Sequence, residues 1–316
     1  MPYDVFGAYV DTVIVIARQT DGADAMGVAE ALPVDLVVFP PRYKITALED
    51  FEVFKKTGDA AEWLRQGEGE FLVTLSAEEQ EVISKIDAVG STFGDVMDIQ
   101  RGVTPFKTTA EPPPQNPARA FVGTVRRYRM PDVTVEFIRY DESLAEYKPA
   151  KYFRGPRLLL REMISRQFRL QAILVQEDFV TNKSMQSLLL TDNRYDIRYC
   201  LGLLNSKLLS WYFLAKQSVA RRDDFPKIVL KQSRGLPFRS IDFGNSEERG
   251  AHDRLAGLVE HMLQLHRKAE RTEDEQERKP LQKQIAATDR QVDELVYELY
   301  GLTEKEIQTV EAPEDA

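Results

Sequence analysis

The chain has 316 residues, of which 43% are apolar and 9% aromatic, so it is long and apolar enough to bury a core and to hold two domains. Its single cysteine, Cys200, excludes a disulfide framework, and no apolar run is long enough to span a membrane, so a cytoplasmic protein is expected. The net charge of -9, taken alone, argues against a nucleic-acid-binding protein.

The charged residues are, however, distributed unevenly along the chain. Residues 95–240 hold 25 Lys and Arg against 15 Asp and Glu, whereas residues 1–94 hold 7 against 17 and residues 241–316 hold 10 against 19. A basic middle between two acidic ends is expected of a protein that presents one face to phosphates. Arginines that merely solvate a large β-rich surface would give the same surplus, so charge alone leaves both interpretations open.

The N-terminal part contains two apolar runs, Val13–Ala17 and Leu36–Phe39, which predict strands buried on both faces of a sheet. The mixed pattern of residues 45–67 indicates short helices. Ser76–Glu79 is a capping box followed by apolar residues on one helical face, so a helix is predicted that ends near Asp87.

The pattern of residues 93–190 predicts mostly strands. Short apolar or alternating runs occur at Val133–Phe137, Arg157–Glu162, Phe168–Val175 and Ser187–Leu190. The proline-rich loop Glu111–Pro117 is expected to project rather than to pair in a sheet. Projecting loops on a β scaffold often carry recognition residues.

The stretch Ile197–Phe238 combines an apolar half with a basic half. Apolar residues at spacings of three and four predict one core helix from Ile197 to Ala215 with a single apolar face. From Lys216 onward the stretch has six Lys and Arg against two Asp and is interrupted by two prolines and a glycine. This second half is therefore predicted to be a basic, turn-rich strand segment.

Two apolar seams beyond Arg249 predict an antiparallel helical pair. The first seam contains Leu255, Leu258, Met262 and Leu265, and the second contains Leu281, Ile285, Val292, Leu295 and Leu299. Pro280 fits the first turn of the second helix, and Gly301 fits its C-cap. Thr303–Glu306 is a capping box for a final short helix.

Seven segments carry a resemblance to a known family when they are taken in order. They are Gly94–Val103, Leu158–Glu162, Thr181–Ser184, the run LLNSKLLSWYF at 203–213, Phe225–Ile228, Leu236–Phe238 and Glu294–Thr303. The ordered set resembles the TaqI-like C-terminal specificity domain of adenine-N6 DNA methyltransferases, a group that includes Eco57I-type restriction-modification enzymes. The resemblance covers most of residues 90–303.

The resemblance implies an α+β fold in three parts. Residues 1–89 would be the end of a methyltransferase-like α/β domain, carrying a remnant of its sheet, plus a connecting helix. Residues 90–245 would form a β-rich DNA target-recognition domain with a core helix, and residues 246–316 would form the C-terminal antiparallel helical pair and a tail.

The function implied is sequence-specific recognition of double-stranded DNA, as the specificity portion of an adenine-N6 DNA methyltransferase in a restriction-modification or related phage-defence system. The chain has neither a glycine-rich cofactor loop nor an Asn-Pro-Pro-Tyr motif to hold a flipped adenine. Catalytic and cofactor-binding residues are therefore not assigned. S-adenosylmethionine is implied only for the missing catalytic part, which is expected as a separate subunit. A self-contained methyltransferase, or a protein-interaction adaptor acting through the C-terminal helices, are the alternatives.

Metal-dependent chemistry has little support in the sequence. The three histidines, His252, His261 and His266, lack the spacing of four that would chelate a metal from one helix face. Glu136 is followed two residues later by Ile138, where a Glu-x-Lys nuclease core needs lysine. A metal site is therefore not expected.

The basic residues of the middle block are the candidate DNA contacts, because Arg and Asn can bond base edges while Lys and Ser commonly hold phosphates. The candidates are Arg101, Arg126, Arg127, Arg129, Asn182, Lys183, Ser184, Arg221, Arg222, Lys227, Lys231 and Arg234. For any single residue a solvated surface charge is the simpler interpretation, but the block as a whole favours DNA.

Overall fold

The computed structural model describes residues 33–37, 39, 43–59, 75–131, 133–164, 168–216 and 227–312. The chain divides into two compact units, residues 1–76 and 77–316. The architecture mixes helices with antiparallel sheets, which confirms the predicted α+β class. None of the helices in these described ranges is long and apolar enough to cross a membrane.

The first unit contains a two-stranded antiparallel sheet, β1 (Pro33–Val37) and β2 (Lys55–Asp59), with the short helix α1 (Glu49–Val53) between them. The expectation that Leu36–Phe39 is buried on both faces is wrong, because β1 ends at Val37, whose side chain is 37% exposed. Among the described residues β1 pairs only with β2, and a strand in a two-stranded sheet has too little cover for double burial. Phe39 packs instead against Phe51 of α1, with ring centroids 5.2 Å apart. Val13–Ala17 lies outside the described residues.

The second unit is built on a four-stranded antiparallel sheet with the order β3-β8-β6-β7, called here the central sheet. Its strands are β3 (Met97–Arg101), β6 (Arg157–Arg161), β7 (Ala172–Val175) and β8 (Met185–Leu190). Leu158, Leu159 and Leu160 are all fully buried, so β6 is covered on both faces. Double burial explains why its sequence is a continuous apolar run rather than an alternating one.

A second ribbon, β4 (Pro117–Val122) paired with β5 (Thr134–Arg139), is bridged at Ala120 to Val180, which lies in the connection between β7 and β8. The shared core includes Val103, Ala120, Ile138, Tyr152, Phe153 and Val180. A 3-10 turn at Ala150–Phe153 supplies its two aromatic rings. The predicted loop of residues 111–117 is exposed except at Pro113, but Pro117 does pair, opposite Arg139. Proline is tolerated at this position because it is the first residue of the strand.

The single core helix predicted for residues 197–215 is two helices, α4 (Ile197–Asn205) and α5 (Lys207–Lys216). Ser206 breaks the helix with extended backbone (φ -63°, ψ 155°). The Asn205 side chain bonds both the N–H and the C=O of Ala172, and Asp293 accepts the Lys207 N–H at 2.7 Å. These partners pack around the break. The two helices α4 and α5 are buried around nearly their whole circumference rather than on one face.

The basic segment after α5 was predicted to be strand-like, which is only partly right. Lys227 forms a single antiparallel bridge with Met163, but Leu230–Arg234 is a short helix, α6. The Gln232 side chain accepts the Val229 N–H at 2.8 Å and so closes its first turn. Ser233 faces inward and donates to the buried Gln186 side chain, which fixes α6 against the central sheet.

Helices α7 (Ser246–Arg271) and α8 (Glu275–Leu299) form the predicted helical pair, and α9 (Glu304–Glu311) follows. Gly301 has φ +68°, and Thr303 with Glu306 forms the capping box, as expected. Pro280 does not lie in the first turn. The Asp274 side chain accepts the Gln276 N–H at 2.8 Å and caps α8, which therefore begins more than one turn before Pro280.

Two further helices complete the second unit. α2 (Ala77–Asp87) buries Val82, Ile83 and Ile86, and α3 (Phe93–Val96) leads directly into β3. The helix α2 lies in the second unit, which begins at Ala77. Lys85 of α2 bonds Glu306 of α9 at 2.7 Å, which ties the two helices together.

Candidate nucleic-acid interface

The ends of three neighbouring strands bring basic side chains together. Arg101 ends β3 opposite Gln186, and Arg161 ends β6 opposite Met185. Since β8 runs antiparallel to both strands, the last residues of β3 and β6 flank its first residues. We call this edge the basic sheet end and define it by Arg101, Arg126, Arg161, Lys183 and Lys227.

The turn Asn182–Ser184 leads into β8 and presents Lys183 to solvent. The Asn182 amide oxygen accepts the Ser184 N–H at 2.9 Å and also bonds the Ser184 hydroxyl. Gly102 passes so close that a Cβ there would lie 2.1 Å from the Thr181 carbonyl oxygen. In this arrangement Asn182 and Ser184 hold the turn, and Lys183 is the exposed side chain at its tip.

Glu162, immediately after β6, lies among the cations of the basic sheet end. It is 8% exposed, and its carbonyl accepts the Ile228 N–H at 2.9 Å, which holds the Lys227 segment in place. Burial raises the pKa of the Glu162 carboxyl, while Arg101, Lys227 and Lys183 oppose that rise. One carboxyl faces at least three cations, so this end of the sheet has a positive potential.

Arg126 and Arg161 add to this potential. Burial lowers the pKa of the Arg161 guanidinium, and the neighbouring Arg126 lowers it further, so two like charges lie close together. Within the described ranges, neither side chain has a carboxylate at ion-pair distance. Two uncompensated guanidiniums favour an anion between or above them. Arg161 belongs to the Leu158–Glu162 motif, but it is not one of the DNA contacts predicted from the sequence.

The turn Arg126–Arg129 separates its arginines into different environments. Arg126 donates its N–H to the Arg129 carbonyl at 2.9 Å, and Tyr128 sits in the left-handed region (φ 61°) with its ring buried. The Arg127 guanidinium points to α8 and bonds both carboxylate oxygens of Asp289, one of them at 2.9 Å. Arg127 is therefore occupied within the protein, whereas Arg126 is exposed.

The remaining predicted contacts lie on α6 or outside the described residues. Lys231 and Arg234 are exposed on α6, which packs on β3. Arg234 donates to the Ile99 carbonyl at 2.6 Å, so part of its guanidinium is used to hold that contact. Arg221 and Arg222 are outside the described residues.

Two glycines of the second unit are packed against the protein itself rather than open to a ligand. A Cβ at Gly102 would lie 2.1 Å from the Thr181 carbonyl oxygen, and a Cβ at Gly202 would lie 2.9 Å from the Leu255 side chain. The described residues include no group of three or more His, Cys, Asp or Glu that could hold a metal. His252 accepts the Asp196 N–H at 3.0 Å instead. We therefore derive no chemical step through a cofactor in this chain.

Comparison with known proteins gives three similarities. Residues 120–238 match the family described as the TaqI-like C-terminal specificity domain. A predicted type II restriction enzyme and methyltransferase of Methanocaldococcus jannaschii is 25% identical over an alignment of 249 residues, and the match covers 75% of this chain. The match covers 20% of that relative's length, so this chain spans about a fifth of it.

Among solved structures, the type IIL restriction-modification enzyme MmeI in complex with DNA is similar over 70% of this chain and 35% of that one, with 11% identity and a TM-score of 0.45. The family match contains Arg126, Arg161, Lys183 and Lys227, four of the five residues of the basic sheet end. Residues 120–238 are thus similar to the TaqI-like C-terminal specificity domain, and the relative that matches over the wider chain is described as a restriction enzyme and methyltransferase.

Proposed function

We propose that residues 90–245 bind double-stranded DNA and read its sequence, as the specificity portion of a restriction-modification DNA methyltransferase. The observation that carries the proposal is the basic sheet end, where Arg101, Lys183 and Lys227 surround the buried Glu162 carboxyl and Arg126 lies beside Arg161. The specificity-domain family of residues 120–238 supports the same function.

The exposure of these side chains suggests which of them contact phosphates and which contact bases. Arg126, Lys183 and Lys227 are exposed and suit the phosphate backbone, which supplies most of the affinity without reading sequence. Arg101 and Arg161 are half-buried on strand ends, and their positions are therefore better defined. An ordered guanidinium is the side chain that pairs with guanine O6 and N7. We assign the reading of bases to these two residues.

We further propose that the methylated base is adenine, at N6, and that catalysis and S-adenosylmethionine binding belong to residues outside this chain. The ordered motifs of residues 90–303 support the adenine assignment, and the short span against the M. jannaschii relative supports the second. The catalytic part would then supply the pocket for the flipped adenine. Co-expression with a candidate catalytic subunit, followed by a methylation assay on duplex DNA, tests both points.

Duplex binding is tested by fluorescence anisotropy across a salt series. Lys183→Glu with Lys227→Glu should weaken binding at least about tenfold and reduce the salt slope, because phosphate contacts release counterions. The matched control is Lys268→Glu with Lys305→Glu, which reverses two exposed lysines of α7 and α9. Equal losses in the two double variants, or binding that does not respond to salt, would contradict the proposal. The second result would favour an adaptor that acts through its helices.

A further inference from the structure

A recess lies between the Arg126–Arg129 turn and the helical pair α7–α8. It has two lobes, of about 570 Å³ and about 220 Å³. Arg129, His266, Ile285 and Asp289 line both lobes, so the lobes adjoin each other. The combined space is within the range of sites that hold small organic ligands. Only Arg126 belongs both to this lining and to the basic sheet end.

The potential in the recess is positive where the lobes meet. Arg129 lines both lobes and Arg126 lines the smaller one, and neither has an ion pair with a carboxylate in the described part of the chain. Arg127 is neutralised by Asp289. Burial, followed by Arg129 and Arg127, lowers the pKa of His266 to about 4, so its imidazole is neutral near pH 7. A positive potential of this kind favours an anionic group.

The larger lobe offers both apolar and charged surface. Ala269, Ile285 and Ala286 supply its apolar part. Glu270 lies near Arg129, and Arg278 donates to the Thr272 carbonyl at 2.6 Å. Arg127 pairs with Asp289, so the positive charge that the two lobes share is that of Arg129, at their junction.

The smaller lobe has polar side chains without partners. Tyr128 and Gln171 are 3% and 5% exposed, and neither the Tyr128 hydroxyl nor the Gln171 amide oxygen has a hydrogen-bond partner among the described residues. The Nε of Arg127 is buried without a partner in the same way. Buried polar groups are nearly always satisfied by protein, water or ligand. Together they offer two donors and an acceptor, which a small shift of these side chains would turn toward a ligand.

We propose that this recess binds one nucleotide, with its base in the smaller lobe against Tyr128 and Gln171 and its phosphate at Arg129, where the lobes meet. A nucleobase edge carries both donors and acceptors and so can satisfy both unpartnered groups. Met262 and Ile285 supply apolar surface for its ring. The nucleotide can be free in solution or part of a bound strand, since both offer the same phosphate and base.

The test uses two glutamines of α8 that are both exposed. Gln282 lines the larger lobe, whereas Gln284 does not. Calorimetry of the full chain with dAMP should show saturable binding that Gln282→Glu weakens about fivefold and Gln282→Lys strengthens, because a like charge near the phosphate is unfavourable. Gln284→Glu should leave dAMP affinity within about twofold of the wild type. Inorganic phosphate should bind more weakly than dAMP.

A second arm distinguishes the two sources of the nucleotide. A duplex that carries 2-aminopurine should become brighter on binding if the recess takes a nucleotide from DNA, and Gln282→Glu should suppress that increase. The proposal is overturned if neither dAMP nor the labelled duplex responds. It is also overturned if phosphate binds as tightly as dAMP, or if Gln282→Glu and Gln284→Glu behave alike. It does not rest on the basic sheet end, so a failure of Lys183→Glu with Lys227→Glu to weaken duplex binding leaves it standing.

Discussion

The side chain of Asn205 pairs with the backbone of Ala172 in both directions. Its Nδ2 donates to the Ala172 carbonyl at 3.0 Å, and its Oδ1 accepts the Ala172 N–H at 2.9 Å. Asn205 is fully buried at the end of α4, and Ala172 is the first residue of β7. The amide thus takes the place of a neighbouring strand and attaches the core helices to the edge of the central sheet.

Replacing Asn205 by Ala should destabilise the protein by about 1–3 kcal/mol, because the buried Ala172 N–H would lose its acceptor, while the Ala172 carbonyl would keep only the Tyr128 N–H. Urea unfolding measures this free energy. Asn193→Ala, at an exposed position before α4, is the control and should change stability by less than about 0.5 kcal/mol. Equal effects of the two substitutions would show that the Asn205 pairing adds nothing to stability.

Gly102→Ala should be among the most destabilising single substitutions in the second unit. The added Cβ would meet the carbonyl oxygens of Thr181 and Asn182 at 2.1 and 2.2 Å, and both are backbone atoms that cannot rotate away. A loss of about 3 kcal/mol or more is expected. Gly257→Ala in α7 is the contrasting substitution, since nothing lies within 4 Å of its Cβ position. It should stabilise the helix by up to about 1 kcal/mol. Thermal unfolding of both variants decides the point.

Asp289→Asn should destabilise the protein by about 1–2 kcal/mol. The Arg127–Asp289 pair has side-chain exposures of 20% and 24%, so removing the carboxylate charge leaves a largely desolvated guanidinium. The Lys279–Glu275 pair, at 65% and 82% exposure, offers the control. Glu275→Gln should change the free energy of unfolding by less than about 0.5 kcal/mol. Similar losses for both substitutions would mean that burial of the Arg127 pair is unimportant.

Glu162→Gln should strengthen duplex binding several-fold near pH 7, because it removes a negative charge that lies among the cations of the basic sheet end. Anisotropy titrations against duplex DNA provide the measurement. Glu247→Gln, in the exposed first turn of α7, should leave the affinity unchanged. Unaltered or weaker binding by Glu162→Gln would indicate that the carboxyl itself contacts DNA or orders a contact.

The same carboxyl predicts a pH dependence of stability. Its folded-state pKa is raised above the ordinary value of 4.5, mainly by burial. The native state therefore holds this proton more tightly than the unfolded state, and the contribution to stability is full below the unfolded pKa and is lost as pH rises through the folded pKa. The difference in unfolding free energy between wild type and Glu162→Gln should change across that interval and be constant above it. A difference that does not vary with pH would assign a normal pKa to Glu162.

The sequence by itself determined the features that depend on neighbours within a turn or two. The Thr303–Glu306 capping box, the positive-φ Gly301 and the two helical seams all follow from local hydrogen bonds or from periodicity. The apolar runs also placed β6, β7 and β8 correctly. The order of the motifs along the chain indicated the specificity domain, because order in sequence can be seen without knowing which residues are in contact.

Only the tertiary structure decided which residues meet. The break between α4 and α5 at Ser206 depends on hydrogen bonds to Ala172 and Asp293. The ion pair of Arg127 depends on Asp289, which lies 162 residues later in the chain. The convergence of Arg101, Lys183 and Lys227 on Glu162 likewise follows from strand register. Pairings at such separations are set by packing of the whole unit, since a one-residue shift of β8 would turn each of its side chains to the other face. A local sequence pattern shows only that a side chain is charged or apolar, whereas tertiary packing determines which residue it contacts.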